Sequence, residues 1–343
     1  MHPAAEGLFY ALENSFAGTL AGKKKRVGFL RAELHPRLPA TLAGHKLYCG
    51  QSFKPDYDKL TAAGFEVSAD LKPRTPLDVV VYLPTRSREE NRYMVAKGLS
   101  MLKAGGVFIT AQHNSLGAKH LEKDLTALVP DASTVSKKHC RIMAATAPGE
   151  PDPMQVSLYM ACGNPEQVAG TNLKALPGLF SWKKPDAGSQ MLVDMIEPED
   201  LAGIGADFGA GWGFLTQRAL KMSPRIREMH LFEAERRALD IAALNLKKTK
   251  AKIFTHWSDV PRADISPQFD FILCNPPQHD ISKTDTGLVS RFIEQAAAAL
   301  RPEGVLWLVS NQHIPAERLL GDFFPEAEEK NHDKQYRVFR AVK

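Results

Sequence analysis

At 343 residues, with 44% hydrophobic and 24% charged side chains, the chain is long enough for two domains and is neither disordered nor fibrous. No apolar run approaches the roughly 18 residues of a membrane span, and MHPAAEGLFYALENSF lacks the basic-then-apolar layout of a signal peptide, so a cytoplasmic protein is expected. Cys49, Cys140, Cys162 and Cys274 lie far apart with no C-x-x-C pairing, which predicts buried reduced thiols and no metal site.

The net charge of +5 is uneven. Residues 1–150 hold 21 Lys and Arg against 14 Asp and Glu, whereas 151–343 hold 23 against 25. Clusters such as Lys23-Lys24-Lys25-Arg26 suit phosphate neutralisation, and equally a solvated basic surface.

Along the chain, apolar runs suited to buried strands alternate with helical patterns, which predicts parallel sheets flanked by helices. In the first half the strands are expected near Lys46–Cys49, Asp78–Leu83 and Val107–Ala111. A helix is expected over Arg88–Lys103, closed by Lys103-Ala104-Gly105-Gly106 as a basic last turn and a glycine stop. Ala147–Pro153 is Pro-rich and acidic and Cys162–Gly178 is loop-rich, so the domain join falls within that interval, with domains written as 1–150 and 151–343. In the second half strands are expected at Ile204–Phe208, Met229–Phe232, Lys252–His256, Phe269–Cys274 and Val305–Val309, and a last one near Tyr336–Val342. LKAGGVFIT and LRPEGVLWLVS are near copies, so two doubly wound units in tandem follow from an internal duplication.

Chemistry concentrates in the second half. ADFGAGWGFLTQRAL puts Asp207 at a strand end and Gly209, Gly211 and Gly213 in the turn that opens a helix, a geometry that lets backbone approach a nucleotide-like ligand. The residue three after Gly211 is Phe214, so the dinucleotide fingerprint fails and NAD is disfavoured. Glu233 ends the next strand, where a carboxylate can accept two ribose hydroxyl protons. Asp259 is placed either to take an adenine amino group or to act as a helix N-terminal carboxylate. The fourth strand, DFILC, stops at Asn275-Pro276-Pro277-Gln278, a rigid exit that carries a polar amide.

Loop, acid and N-P-P occur in the order of class I S-adenosylmethionine-dependent methyltransferases acting on amino groups. The chain resembles the two-domain ribosomal RNA guanine-N2 methyltransferases of the RsmC and RlmG type through LPGLFSWKKPDAGSQML, NPPQHD, KQYRVFRAVK and, in the first half, DVVVYLPTRSREENRYMVAKGLSMLKAGGVFITAQH. The resemblance implies two tandem Rossmann-like sheets, the N-terminal one degenerate, with S-adenosyl-L-methionine as cofactor. LYCGQSFKPDYDK stands where a first-domain glycine loop is expected and offers only Gly50, so no second cofactor site is expected. Ribosomal RNA or a ribosomal subunit is the implied partner, held through phosphate contacts of the basic first half.

The implied site has Asn275 and the Pro276 carbonyl accepting the two protons of a guanine amine, with Pro277 keeping them rigid. At Gln278 the family has Phe or Tyr, a stacking face for a flipped base, so Phe180, Trp182 or Trp212 is expected to supply it if the acceptor is guanine. His279 and Asp280 match the family and shape the pocket entrance or the loop alone. Gly188-Ser189-Gln190 matches the stretch that lines the cofactor pocket, with Ser189 alternatively a helix cap, and Asp186 is left open in the same way. Two other acceptors, a protein glutamine amide and a DNA adenine amine, fit the same motif. A non-catalytic RNA-binding protein that retains the fold is the remaining reading.

Overall fold

The computed structural model describes residues 2–149, 152–266, 268–277 and 286–343. The chain divides into two compact units, Met1–Asn164 and Pro165–Lys343. That division falls inside the loop-rich interval rather than at the acidic Pro-rich stretch. The first unit keeps the helix Pro153–Ala161, whose Tyr159 hydroxyl donates to Asp124, a carboxylate that also receives Arg88 and Arg92.

In the first unit the strands are β1 (Arg26–Leu30), β2 (Lys46–Gly50), β3 (Val67–Ser68), β4 (Leu77–Tyr82), β5 (Leu102–His113), β6 (Ser133–Lys137) and β7 (Cys140–Thr146). They line up as β3-β2-β1-β4-β5-β7-β6, parallel from β3 to β5, with β7 antiparallel to both neighbours. The helices are α1 (Ala5–Glu13), α2 (Leu38–Thr41), α3 (Lys54–Ala62), α4 (Arg88–Ser100), α5 (Ala118–Leu128) and α6 (Pro153–Ala161). One apolar cluster puts Leu8, Phe9 and Leu12 of α1 against Phe29 and Val81, and the other puts Val95 of α4 and Leu121 and Leu125 of α5 against Val80 and Phe108. Alternate residues of each strand therefore serve opposite faces, as the pleat requires.

The second unit opens with a small ribbon, β8 (Glu166–Gln167) and β9 (Lys174–Ala175), before its main strands. These are β10 (Gly203–Phe208), β11 (Ile226–Glu233), β12 (Lys252–Trp257), β13 (Phe269–Cys274), β14 (Leu300–Asn311), β15 (Glu326–His332) and β16 (Tyr336–Val342). Their order, β12-β11-β10-β13-β14-β16-β15, repeats that of the first unit rank for rank. The helices are α7 (Ala187–Met195), α8 (Phe214–Met222), α9 (Arg236–Leu246), α10 (Thr286–Ala299) and α11 (Ala316–Gly321). The first three pack on one sheet face around Trp307 and Leu231, the last two on the other around Phe208 and Leu308.

Three expectations change. The stretch LYCGQSFKPDYDK holds β2 and the start of α3, so the counterpart of the glycine loop is the turn after β1, Arg31-Ala32-Glu33, which has no glycine. β1 is a strand that RVGFL, with an Arg and a Gly in five residues, conceals. Its Gly28 is required because a Cβ there would stand 2.6 Å from Leu77. Lys103–Gly106 is not the end of α4, which stops at Ser100, but lies inside β5 where the register with β4 shifts. Gly105 adopts φ +73° there, and Glu303 adopts φ +65° at the matching place in β14, so the duplicated segment keeps one left-handed kink in both units.

Candidate active site

The strand order of the second unit reverses between β10 and β13, and the loops after those two strands meet there. Pairing of Phe208 with Cys274 sets Gly209 beside Asn275, close enough that a Cβ on Gly209 would be 3.5 Å from the Asn275 carbonyl oxygen. Gly209, Gly211 and Gly213 have φ of +82°, +54° and +88°, a run of left-handed backbone that L side chains resist. Gly213 lies beneath Ala242 of α9 and opens α8, whereas the Cβ direction of Gly211 meets nothing within 4 Å.

Asp207 is fully buried beneath this loop. Its Oδ2 accepts from the Thr216 N–H at 3.1 Å and from the Thr216 hydroxyl at 2.7 Å, while Oδ1 has no partner. Burial pushes the carboxyl up to about 7, against the two Thr216 hydrogen bonds and with help from the charge of Glu233. Glu233 ties acid to loop: it accepts from the Gly211 N–H at 2.8 Å and from the Glu235 N–H at 2.8 Å. Burial also raises its pKa, and the backbone donors hold it down. Asp259 precedes the 3-10 turn Val260–Arg262 without a side-chain capping hydrogen bond, and Arg262 is 3.8 Å away.

Asn275 is held by its nitrogen. Nδ2 donates to Asp186 Oδ2 at 3.0 Å and to Ser189 Oγ at 2.8 Å, so both amide protons are used and the carbonyl Oδ1 is turned to the other side. Asp186 is the N-cap of α7, accepting from the Ser189 N–H, and its other oxygen receives the Tyr336 hydroxyl at 3.5 Å. Gly188 makes that approach possible, because a Cβ there would be 2.9 Å from the Tyr336 ring. Asp186, not Ser189, is therefore the cap, and Ser189 acts as an acceptor for the amide. These two residues and Tyr336 form a support for Asn275 that the motif alone does not reveal. The family-like stretches GSQ and KQYRVFR were its only sequence signal.

Pro276 is buried and Pro277 exposed, immediately after Asn275. Gln278, His279 and Asp280 lie outside the described residues. Gln190 is exposed on α7, its amide nitrogen donating to the Pro185 carbonyl at 3.1 Å, so the helix turns Ser189 and not Gln190 toward Asn275. Trp212 is 5% exposed among Val168, Leu173, Ala175 and Ile241, with its indole N–H on the Phe180 carbonyl at 3.0 Å. That packing commits Trp212 to the core and removes it as a stacking face, whereas Phe180 is 53% exposed and Trp182 is half-buried under Lys183.

The geometry fits an adenosine-containing sulfonium cofactor: an open glycine loop, a carboxylate at the end of the second strand hydrogen-bonded to that loop, and a buried acid with one oxygen lacking a partner among the described residues. Residues 170–340 match the methyltransferase small domain model. The chain is a class I S-adenosylmethionine-dependent methyltransferase. Curated relatives of this methyltransferase include the ribosomal RNA small subunit methyltransferase C of Psychromonas ingrahamii, 25% identical over 288 residues, covering 83% of this chain and 81% of that relative. The protein of the same name from Shewanella pealeana is 27% identical over 269 residues, covering 77% of each. The fold of this chain matches that of the T. thermophilus 16S rRNA N2 methyltransferase RsmC, solved with AdoMet and guanosine, at a TM-score of 0.80 over 99% of this chain and 92% of that one, with 23% identity. Among the described residues of the methyltransferase, no helix is long and apolar enough to cross a membrane and no group of three or more His, Cys, Asp or Glu could hold a metal ion.

Proposed function

We propose that this methyltransferase modifies the exocyclic N2 of a guanine in ribosomal RNA. The observation that carries the proposal is the anchored orientation of Asn275, whose amide nitrogen is committed to Asp186 and Ser189. A guanine amine is a poor nucleophile because its lone pair is delocalised into the ring. Two fixed acceptors, Asn275 Oδ1 and the Pro276 carbonyl, would take its two protons and favour the pyramidal nitrogen whose lone pair is free to react. S-adenosylmethionine supplies an electrophilic sulfonium methyl when bound. Gly209, Gly211 and Glu233 would hold its nucleoside, and the charge of Asp207 would act on its positive charge from beneath the loop. A base in a helix cannot reach Asn275, so the target is unpaired or flipped out. Proline rigidity and the Asp186 support keep the acceptors aligned, and alignment supplies much of the acceleration in such transfers.

In the same reading, the first unit contributes phosphate contacts that position the RNA, and the enzyme works in the cytoplasm with the ribosome. The test is label transfer from methyl-labelled cofactor to undermethylated small subunits, free ribosomal RNA, DNA and release factors. Label should enter RNA as N2-methylguanine. Asn275→Ala should lower kcat by about 100- to 1000-fold, the cost of one preorganised hydrogen-bonding group, and leave the cofactor Kd within twofold. Transfer to protein or DNA instead of RNA, or full activity in Asn275→Ala, would overturn the proposal.

A further inference from the structure

A groove of about 630 Å³ runs between α7 and α8 and under the loop that joins β8 to β9. Its lining includes none of Gly209, Gly211, Gly213, Glu233 or Asn275. Its volume is within the usual range for a small-ligand site. One end reaches the catalytic support: Pro185 and Gln190 line it, and they bracket Asp186 and Ser189, which hold Asn275.

The lining has the chemistry of a nucleotide receptor. Three amides there donate their nitrogens to the protein: Gln167 to the Thr171 carbonyl at 2.9 Å, Gln190 to the Pro185 carbonyl at 3.1 Å, and the buried Gln217 to Asn172 Oδ1 at 3.2 Å. Each bond commits the amide nitrogen and leaves the carbonyl oxygen without a partner among the described residues, an acceptor for base amino and imino groups. Phe214, Val193 and Pro185 add apolar surface against which a base plane can lie. Arg218 and Lys221 are exposed at the α8 wall, and neither forms an ion pair with a described residue, while Asp194 is the one acid opposite them. Two unpaired cations against one acid favour a single phosphate rather than a neutral ligand.

We propose that this groove binds a nucleotide neighbouring the target guanine on the RNA strand, its phosphate at Arg218 and Lys221 and its base edge at the amide oxygens. The inference rests on the RNA reading above. It assigns recognition of flanking sequence to the catalytic unit, through a surface contiguous with the Asn275 support.

The experiment uses the full chain with undermethylated ribosomal RNA and labelled cofactor. The double variant Arg218→Glu, Lys221→Glu changes two exposed side chains and should raise the RNA KM by about tenfold or more, with kcat and cofactor Kd within twofold. With one phosphate held by both cations, the slope of log affinity against log salt should flatten by about 0.7, the value per phosphate for single strands. Asp194→Asn should lower the RNA KM. An unchanged RNA KM and salt slope in the double variant overturns the inference while leaving RNA methylation intact. A wild-type protein that labels no RNA overturns the proposed function and this inference together.

Discussion

Asp207 offers a test that depends on burial and charge. Its carboxyl is fully buried and its pKa is raised from 3.8 to about 7. The folded state therefore binds this proton more tightly than the unfolded chain, so stability from this group is greatest below about pH 4. It is lost progressively as pH rises toward 7 and is flat above that. A shift of this size corresponds to roughly 4 kcal/mol at pH 8 and about 1.5 kcal/mol at pH 5. Asp207→Asn keeps an acceptor for Thr216 and removes the titration. The stability gap between variant and wild type should accordingly move in favour of the variant by roughly 2 to 3 kcal/mol between pH 5 and pH 8, and any constant effect of the substitution cancels from that difference. All four tryptophans, Trp182, Trp212, Trp257 and Trp307, belong to the second unit, so urea unfolding followed by tryptophan fluorescence reports the unit that holds Asp207. A cationic ligand favours the carboxylate, so cofactor binding should also release a proton near pH 6.5, read as a binding enthalpy that depends on the buffer. Parallel stability curves for the two proteins across pH 5 to 8 would refute the argument.

Gly211→Trp places an indole where the Cβ direction is open, and should abolish cofactor binding by calorimetry. The left-handed φ should add about 1–2 kcal/mol of destabilisation in urea unfolding. Asp186→Ala removes the α7 cap, at a cost of about 1 kcal/mol, and frees one side of Asn275. Its signature should be a fall in kcat at unchanged cofactor Kd, and equal losses in both would mean that α7 supports the cofactor rather than the amide.

The strands that flank the site were legible because each is a short apolar run bounded by turn residues: Phe269–Cys274 and Tyr336–Val342 appear with the expected bounds. β1 was not, since Arg26 and Gly28 break the pattern and the strand is recognised only through its partners Val79–Tyr82 and Lys46–Gly50. Residue types and spacing singled out Asp207, the three glycines, Glu233 and Asn275, which the structure brings together at the ends of β10, β11 and β13. Spacing could not say which neighbour on α7 faces the amide, because Ser189 and Gln190 are adjacent in sequence but lie about 100° apart around a helix. Nor could it say that Trp212 points inward, which depends on a hydrogen bond to a carbonyl 32 residues away.

The duplication shows what the site requires by showing what replaced it. Strand register matches Phe29 with Asp207, Gln51 with Glu233 and Leu83 with Asn275. Phe29 and Leu83 carry no polar side-chain group, whereas Gln51 stays polar. At Gln51 hydrogen-bond direction reverses at one of two polar atoms: its Oε1 still accepts from the Phe53 N–H at 2.9 Å, as Glu233 Oε1 accepts from the Glu235 N–H. Glu233 accepts from the N–H of Gly211 in its loop, whereas Gln51 donates to the carbonyl of Ala32 in the loop of the first unit at 2.7 Å. One acceptor oxygen that could also hold a ribose hydroxyl has become a donor nitrogen committed to backbone. The carbonyl of Pro84, which corresponds to that of Pro276, is likewise taken, here by the His2 ring at 2.7 Å. Ala4 N–H donates to Nδ1 of the same ring, so Nε2 carries the proton and the imidazole is neutral. Burial lowers the His2 pKa and favours that form. In the first unit the backbone acceptor beside the fourth strand closes the fold on itself; in the second, no described residue donates to the corresponding Pro276 carbonyl, which the proposed mechanism assigns to the substrate amine.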